Sequence, residues 1–371
     1  MARKPKNYDP NEASMEVQMD AIRAKRKRVG PRIALALLIV LALVMGSFAL
    51  SVAVRGRRMS HQKEVYTPRV TQPGQEDRVD QFADVDGEVI TYKGKQYRFN
   101  DDVATFLLLG IDRNDPDSFD PGNCHVMAFS DAVILAAMDF KNEKITFYTV
   151  SRDTMCKFNK MSKTGEFVEE AVGQLAIPFS YGDGREKSLE ITTDAVRGIF
   201  DDLPIYSSSA LYMEGFHQLN DIIGGVTLTP TETVDWGGVH LEAGEEVTLD
   251  ADQAEAYIRY RAHTEQGNLD RMERQKQYVK ALTTQALKAC RKNIRMAIQA
   301  YNAVSDNVVT DLKLSDVLYL ATKATKMKIT DEIRTVPGSV TLSEDGKYAE
   351  YYIDEEGCFE LLLSIYYEQI S

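Results

Sequence analysis

The chain has 371 residues, of which 44% are hydrophobic and 27% are charged, and its formal net charge is −12. This composition is typical of a folded globular protein. Because the acidic excess lies outside the basic first 32 residues, it excludes general nucleic-acid binding, which needs a broad basic face. Any anion that the protein binds must therefore meet a local cluster of positive side chains.

An uncharged apolar segment follows the basic N-terminus. Residues 33–54 read IALALLIVLALVMGSFALSVAV, which is long enough to cross a bilayer core of about 30 Å as a helix. More Lys and Arg precede it than follow it, which predicts a cytoplasmic tail (1–32), a single-pass transmembrane helix (33–54) in the cell membrane and an extracytoplasmic remainder. The alternative is a cleaved signal peptide, because Ser51-Val52-Ala53 resembles a cleavage box, although such apolar regions usually have about 7–15 residues.

The next segment is polar and precedes the globular domain. Residues 55–101 contain many charges, Pro68 and Pro73, which predicts an extracytoplasmic stalk with a small hairpin near Val89. A globular domain is predicted over residues 102–371. The chain has four cysteines and no CxxC pair, which disfavours zinc and thioredoxin-type sites. Disulfides and free buried thiols both remain open for these cysteines.

Three apolar runs predict a strand meander at the start of this domain. They cover residues 103–109, 132–138 and 145–150. If neighbouring strands run antiparallel, the end of the first strand, the start of the second and the end of the third share one edge of the sheet. Asp112, Asp131 and Arg152 would then gather at that edge. The alternative is that charged residues simply flank the strands, as they often do.

Helices and short strands alternate in the rest of the domain. The apolar periodicity predicts helices over 188–202, 214–223, 269–291 and 317–324, one capped by Asp250 and one from Glu356, with strands near 226–229, 333–336 and 349–353. This mixture predicts the α/β (α+β) class, in which a mixed central sheet that includes the meander is covered by helices on both faces. Residues 291–371 are predicted to be the C-terminal part of the same domain.

Arginines are concentrated late in the predicted domain. Arg259 and Arg261 stand in an apolar context, and Arg271, Arg274 and Gln275 would share one face of the helix that follows. Arginine offers a planar fork that binds pairs of phosphate oxygens, so this cluster favours a diphosphate ligand. The alternative is an ordinary solvated helix face.

The sequence lacks the standard catalytic signatures. It has no GxSxG, HExxH, GxxxxGK[ST] or GxGxxG motif, and its five histidines show no metal-ligand spacing. The carboxylates of Asp112 and Asp131 are instead suited to Mg²⁺, a hard ion that prefers oxygen ligands and bridges phosphates.

Several short motifs occur in an order that resembles the LytR–CpsA–Psr (LCP) family of cell-wall glycopolymer transferases. They are Gly110-Ile111-Asp112, Ser130-Asp131, Ser151-Arg152-Asp153, Tyr181-Gly182-Asp183-Gly184, Gly215-Phe216, Asp221-Ile222-Ile223-Gly224-Gly225-Val226, AEAYIRYR and DRMERQKQ. The resemblance spans residues 105–282. The basic tail and the single membrane helix also fit this family.

The resemblance implies a membrane-anchored extracytoplasmic phosphotransferase. Such an enzyme moves an anionic glycopolymer, such as teichoic acid or capsule, from an undecaprenyl-diphosphate carrier onto peptidoglycan with Mg²⁺. By position, Asp112 and Asp131 resemble the metal ligands of the family. Catalytic roles in diphosphate binding are implied for Arg152, Arg259, Arg261 and Arg271, and substrate contacts for Gln275, with Arg113 and Arg274 as further candidates.

Two positions depart from the family pattern. Phe129 stands where the family has an arginine two residues before Asp131, and Ser151 stands in place of the proline before Arg152. The missing arginine removes a phosphate contact, for which Arg113 could compensate. The departure at Phe129 favours an alternative function, a non-catalytic receptor for polyprenyl diphosphate or wall polymer. A lipid-diphosphate hydrolase is a third possibility.

Overall fold

Strands and helices alternate along the domain. The computed structural model describes residues 65–73, 83–118, 124–261 and 267–371. The strands are β1 (Asp84–Asp86), β2 (Val89–Tyr92), β3 (Lys95–Phe99), β4 (Val103–Ile111), β5 (Ser130–Asp139), β6 (Lys144–Val150), β7 (Met155–Met161), β8 (Phe167–Gln174), β9 (Ile205–Leu211), β10 (Val226–Leu228), β11 (Val234–Trp236), β12 (Val239–Leu241), β13 (Val247–Leu249), β14 (Val308–Thr310), β15 (Lys328–Ile329), β16 (Arg334–Thr335), β17 (Gly338–Leu342), β18 (Ala349–Ile353) and β19 (Tyr367–Gln369). The helices are α1 (Glu186–Ile199), α2 (Met213–Ile222), α3 (Ala251–Arg259), α4 (Gly267–Lys292), α5 (Arg295–Val304), α6 (Leu314–Ala324) and α7 (Glu355–Tyr366).

A mixed seven-stranded sheet lies at the centre of the fold. Its order is β14-β9-β4-β5-β6-β15, and β16 also pairs with β6. β4, β5 and β6 are antiparallel neighbours, which confirms the predicted meander, whereas β9 runs parallel to β4, and β15 and β16 run parallel to β6. The long apolar runs explain why β4 and β5 are central, because strands that are buried on both faces need no polar alternation.

Helices cover both faces of this sheet, as the sequence predicts. On one face, α1 and α7 contribute Leu189 and Leu362 to the largest core. On the other face, α4 and α6 contribute Leu287 and Ala324, which pack with Phe147 of β6. A third core joins α2, α3 and α4 with strands β10 to β13, and it supports the helices that carry the clustered arginines.

The segment predicted as a stalk folds onto the main domain wherever the structure describes it. β1, β2 and β3 form a sheet that is completed by β19, and they include the expected hairpin. Ile90 is fully buried in the largest core, and the hydroxyl of Tyr66 donates to the carbonyl of Phe200 at 2.8 Å. The stalk prediction for residues 55–101 is therefore corrected over these residues. Their packing partners lie so far along the chain that local composition does not indicate them.

The N-terminal predictions lie outside the described residues. This applies to the basic tail (1–32) and to the transmembrane helix (33–54). Among the helices that the structure does describe, none is both long enough and apolar enough to cross a bilayer. The described residues from 65 onward form one unit by their contacts, and the predicted C-terminal part, 291–371, belongs to it.

The four cysteines are free thiols. Cys124, Cys156 and Cys358 are buried, and Cys290 is half-buried. Burial raises the pKa of the Cys156 thiol to about 12 and also raises the pKa of Cys358 far above its ordinary value. Of the two possibilities that the sequence leaves open, the structure therefore shows protonated thiols, and Cys156 and Cys358 are unreactive at neutral pH.

Replacing Ile90 with alanine tests the packing of β2 on the largest core. Because a buried Ile→Ala change leaves a cavity, we expect Ile90→Ala to lower the free energy of unfolding by about 2–5 kcal/mol. Val85→Ala, in the exposed strand β1, is the control and should change it by about 0.5 kcal/mol or less. Chemical denaturation of the purified protein measures both values. An Ile90→Ala effect as small as that of the control contradicts this packing.

Candidate active site

The meander brings Asp112, Asp131 and Arg152 to one edge of the central sheet. The backbone N–H of Asp112 donates to the carbonyl of Phe129 at 3.2 Å, and the N–H of Phe129 donates to the Asp112 carboxylate at 2.8 Å. Arg152 follows β6, and its guanidinium donates to the carboxylate of Asp131 on β5. The structure thus shows the gathering that the antiparallel strand order predicts.

A β-bulge sets the direction of Asp131. In the pairing of β4 with β5, Gly110 lies opposite Ala132 and Ile111 opposite Ser130, so Asp131 is the extra residue. Bulges bend a strand and re-aim a side chain, and they are frequent next to active sites. A glycine suits position 110 because a Cβ atom there would lie 3.2 Å from the Cβ of Ala132, which is a tight contact.

Arg271 on α4 reaches the same carboxylate. Its Nη1 atom lies 3.5 Å from Oδ2 of Asp131, and only 4% of the residue is exposed. Burial, followed by the positive charges of Arg261 and Arg152, lowers the pKa of Arg271 to about 10, so Arg271 stays charged at neutral pH. Its buried Nε has no hydrogen-bond partner among the described residues, which costs about 1–3 kcal/mol. This donor is therefore available to a bound anion.

Arg261 belongs to the same charged neighbourhood. A capping box formed by Asp250 and Gln253 fixes the start of α3, and Tyr260 ends the helix with an extended backbone (φ −49°, ψ 137°). The exposed Arg261 follows. Burial lowers the pKa of both Arg152 and Arg271, and the positive charge of Arg261 lowers both further. Arginines from three separate segments therefore act on one another.

Asp153, for which no role was predicted, opposes this positive charge. Its carboxylate lies 3.7 Å from Nε of Arg152 and accepts a hydrogen bond from Gln174 at 3.3 Å. Burial raises the pKa of Asp153, while Arg152, Arg271 and Arg261 act in the opposite direction. Its place directly after Arg152 in the chain is the signal that could have identified it.

A cleft opens beside the charged edge, between β5, β6 and α4. Its polar lining consists of Asp131, Arg152, Arg271, Gln275 and Lys276, and its apolar lining includes Ile134, Val279 and Ile333. These apolar side chains belong to the core on that face of the sheet. The cleft, which has a volume of about 20 Å³, is therefore polar at the sheet edge and apolar towards the core.

Two neighbouring residues of α4 complete the polar lining. Nε2 of Gln275 donates to the carbonyl of Ile258 at 3.4 Å, which is compatible with its predicted place beside the arginines. Lys276 was not predicted, and its Nζ donates to Oγ1 of Thr335 at 3.3 Å. Lysine acts as a compact point charge and adds a further positive group to the cleft.

Arg274 belongs to the protein interior, which corrects its predicted role in substrate binding. The side chain is fully buried. It donates to the carbonyl of Tyr257 at 2.8 Å, to the carbonyl of Tyr260 and to the carboxylate of Glu232. Arg271 and Arg274 lie three residues apart on one helical face, so spacing alone does not show which of them lines the cleft.

Two other predicted arginines have partners of their own in the described part of the chain. Arg113 is exposed, and its Nε donates to the carbonyl of Met127. Nη1 of Arg259 lies 2.7 Å from Glu255, and the guanidinium carbon lies 5.8 Å from the ring centre of Trp236. The structure therefore unites three of the predicted arginines at the sheet edge and places these two elsewhere.

The two residues that depart from the family pattern, Phe129 and Ser151, form hydrogen bonds with backbone or carboxylate groups at the same edge. Phe129 exchanges hydrogen bonds with Asp112, as described above. Ser151 is buried, and its hydroxyl accepts a hydrogen bond from the N–H of Asp153 at 3.3 Å. Phe129 thus leaves the edge with one positive charge fewer than the family pattern has.

The carboxylates of this site fit Mg²⁺ when a phosphate ligand is present as well. Asp112 and Asp131 supply two of them, and within the described ranges no group of three or more His, Cys, Asp or Glu could hold a metal ion. Mg²⁺ commonly binds one or two carboxylates and takes its other ligands from water and substrate phosphates. The donor set is therefore that of a shared site rather than of a protein cage.

Removing Arg274 tests its structural role. Arg274→Ala leaves the buried carbonyl of Tyr257, the part-buried carbonyl of Tyr260 and the carboxylate of Glu232 without their donor, so we expect the free energy of unfolding to fall by about 3 kcal/mol or more. Arg295→Ala removes an exposed arginine from α5 and is the matched control, with an expected change of about 0.5 kcal/mol or less. Thermal and urea denaturation give both values. Unchanged stability of Arg274→Ala, combined with weaker ligand binding, restores the predicted substrate contact.

The chain matches a family model and named relatives. The LytR_cpsA_psr family model matches residues 69–361. The polyisoprenyl-teichoic acid–peptidoglycan teichoic acid transferase TagU of Oceanobacillus iheyensis is 30% identical over 223 residues, which are 60% of this chain and 62% of that protein. The protein of the same name from Halalkalibacterium halodurans is 28% identical over 213 residues, which are 57% of this chain and 62% of that protein. This chain spans less than two thirds of the length of these relatives.

Solved structures share the fold at low sequence identity. A protein from Streptococcus agalactiae superposes with a TM-score of 0.54 at 20% identity, covering 71% of this chain and 86% of that one. TagV of Bacillus subtilis superposes with a TM-score of 0.51 at 20% identity, covering 71% and 94% of the two chains. At this identity the likeness shows the mixed α/β fold alone. Because the family model covers most of its length, the chain belongs to the LytR_cpsA_psr family.

Proposed function

We propose that this chain is an extracytoplasmic transferase that moves an anionic glycopolymer from an undecaprenyl-diphosphate carrier onto peptidoglycan. One observation carries the proposal: Arg152 and Arg271 meet Asp131 in a cleft with an apolar lining, and the charges of Arg261 and Asp112 act on Arg152 there. The relatives support it, because their names describe polyisoprenyl-teichoic acid–peptidoglycan teichoic acid transferases.

The arginine cluster suits a diphosphate. Guanidinium forks bind pairs of phosphate oxygens, and Arg152, Arg261 and Arg271 provide three of them. In the protein without ligand, the carboxylate of Asp131 accepts hydrogen bonds from both Arg152 and Arg271 and neutralises part of their charge. A diphosphate can accept from the same donors, and the buried Nε of Arg271 then gains the acceptor that it lacks among the described residues.

The apolar lining of the cleft suits the prenyl part of the carrier. Ile134 of β5, Val279 of α4 and Ile333 face the cleft beside the polar mouth. Apolar surface that is removed from water contributes about 25 cal/mol per Å², so a prenyl unit that lies against this lining gains free energy. The diphosphate head and the start of the prenyl tail would then contact neighbouring side chains.

Transfer of the phosphoryl group to an acceptor hydroxyl follows from this placement. The hydroxyl oxygen forms a bond to the phosphorus that carries the polymer, and the bond between that phosphorus and the bridging oxygen breaks. The hydroxyl loses its proton, and prenyl phosphate leaves with the bridging oxygen. Negative charge grows on that oxygen, and Arg152, Arg261 and Arg271 stabilise it, which is the main source of rate in such reactions.

Asp112 and Asp131 are the residues that would hold Mg²⁺ beside the diphosphate. A bound ion supplies neutralisation of the phosphate charge and polarises the phosphoryl oxygens. Asp131 connects the two parts of the site, because its oxygens already face Arg152 and Arg271. Its carboxylate therefore orients these guanidinium groups before the substrate arrives.

The same proposal includes the membrane. Residues 33–54 are the predicted single-pass helix, and the positive charges before them favour a cytoplasmic N-terminus. A lipid carrier lies in the membrane, and peptidoglycan lies outside it. A domain attached to the outer side of the cell membrane would meet both substrates.

Replacing Asp112 or Asp131 with asparagine tests the role of Mg²⁺. We expect a chelator to abolish turnover and added Mg²⁺ to restore it. Asp112→Asn and Asp131→Asn should raise the Mg²⁺ concentration for half-maximal turnover at least about tenfold, since even a change outside the ligand shell commonly costs that much. Asp306→Asn changes an exposed aspartate and is the control, with an unchanged Mg²⁺ requirement. Full turnover in the presence of the chelator contradicts the metal site.

Turnover of a short prenyl-diphosphate-linked saccharide, with Mg²⁺ and a peptidoglycan acceptor, tests the function itself. We expect a product in which the saccharide phosphate is joined to the acceptor. Arg271→Ala should lower kcat/KM about 10- to 100-fold, because a charge-assisted contact contributes about 1.5–3 kcal/mol. The exposed Arg295→Ala is the matched control and should keep the wild-type value.

Other products of this assay identify the alternatives. Saccharide phosphate that is released without attachment to the acceptor indicates a lipid-diphosphate hydrolase. Saturable binding of the lipid without any product indicates a receptor, the function favoured by Phe129 in place of the family's arginine. Either outcome contradicts the transferase.

A further inference from the structure

An exposed tryptophan lies on a firmly held hairpin beside α3. Trp236 is the single tryptophan of the chain and is 41% exposed at the end of β11. Val234 and Leu241 of the same hairpin are buried in the third core together with Tyr257 of α3. The support of Trp236 is therefore rigid, while its ring remains open to solvent. Rigid aromatic rings of this kind offer a large contact surface at a small entropic cost.

Polar side chains are arranged next to this ring. The guanidinium carbon of Arg259 lies 5.8 Å from the ring centre of Trp236. Nη1 of Arg259 lies 2.7 Å from Oε1 of Glu255, and Nε2 of His217 lies 2.7 Å from Oε2 of the same carboxylate. Oε1 of Glu255 thus holds the guanidinium over one face of the indole, while Oε2 is engaged by His217.

The backbone connects this group directly to the proposed diphosphate site. Arg259 is the last residue of α3, and Arg261 follows two residues later, after Tyr260. Cα atoms two residues apart lie at most about 7 Å from each other, which is comparable to the size of one sugar ring. A substrate whose diphosphate lies at Arg261 therefore has its neighbouring sugar within reach of Arg259.

We propose that Trp236, Arg259 and Glu255 form a subsite for a hexopyranose ring of the glycan substrate, an inference that rests on the proposed transferase function. The flat indole takes the apolar C–H face of the ring. Arg259 donates to the ring hydroxyls, and Glu255 accepts from them. A few polar groups beside an aromatic surface are the usual composition of a small-ligand site.

Charge distinguishes this subsite from the diphosphate site. The carboxylate of Glu255 offsets the guanidinium of Arg259, so the pair is close to neutral. At the sheet edge, by contrast, arginines outnumber the carboxylates that they contact. A neutral sugar ring suits the first place and a phosphate the second. The first sugar of the carrier-linked polymer and the acceptor glycan share this chemistry.

Fluorescence of the single tryptophan reports this subsite alone. We expect a saturable change in emission when a peptidoglycan tetrasaccharide, or a prenyl-diphosphate-linked saccharide, is titrated into the purified protein. A response to the tetrasaccharide identifies the acceptor glycan as the occupant, and a response to the lipid alone identifies the sugar of the donor. Constant emission with both ligands, at concentrations that saturate turnover, overturns the subsite.

Variants separate binding from support of the hairpin. Arg259→Ala should weaken the affinity measured by emission about tenfold. Trp236→Ala should raise KM for the glycan about tenfold with little change in kcat, and Trp236→Tyr should restore most of it. Tyr348→Ala, which removes an aromatic side chain that is 61% exposed, is the matched control and should alter neither value. A lower melting temperature with unchanged KM in Trp236→Ala overturns the proposal.

The subsite and the transferase function fail in different ways. If no transfer is detected but the tetrasaccharide still changes the emission, and Arg259→Ala weakens that response, the subsite stands and the transferase function falls. If transfer proceeds normally and the emission stays constant, the subsite falls and the transferase function stands.

Discussion

Repulsion between arginines that are held close together is the constraint on which the site depends. Together with burial, it lowers the pKa of Arg152 and Arg271. Two carboxylates oppose this repulsion. Asp131 forms ion pairs with Arg152 and Arg271, and Asp153 forms one with Arg152. The cores on the two faces of the sheet supply the free energy that keeps these groups near one another. An anion that binds between the guanidinium groups would reduce the repulsion that remains.

The part of this arrangement that follows from the order of the strands could be predicted from the sequence. Antiparallel strands with short connections bring Asp112, Asp131 and Arg152 to one edge, whatever the details of the packing. The bulge that directs Asp131 could not be predicted, because it depends on the close approach of Gly110 to its neighbouring strand. The order of the strands determines which residues lie at the same edge, whereas a local irregularity such as this bulge determines the direction of a side chain.

The arginines show the limit of helical periodicity more directly. Periodicity placed Arg271 and Arg274 on one face, yet Arg274 meets Glu232, which lies in a loop well before α3. A contact of this kind depends on tertiary structure and leaves no local trace in the sequence. Arg259 is similar, because its neighbour Trp236 belongs to a separate hairpin. The fold class and the order of the three meander strands were thus accessible, whereas the partner of each arginine required the tertiary structure.

The pairing of β3 with β19 has a consequence for the order in which the protein can fold during synthesis. Phe99 pairs with Tyr367, and the N–H of Ile370 donates to the carbonyl of Gln96 at 2.8 Å. Translation produces β1, β2 and β3 long before β19, so the edge of β3 stays open while the ribosome makes the intervening residues. An open strand edge is a template for aggregation. The edge of β3 can therefore be closed only after residues 367–370 have been made.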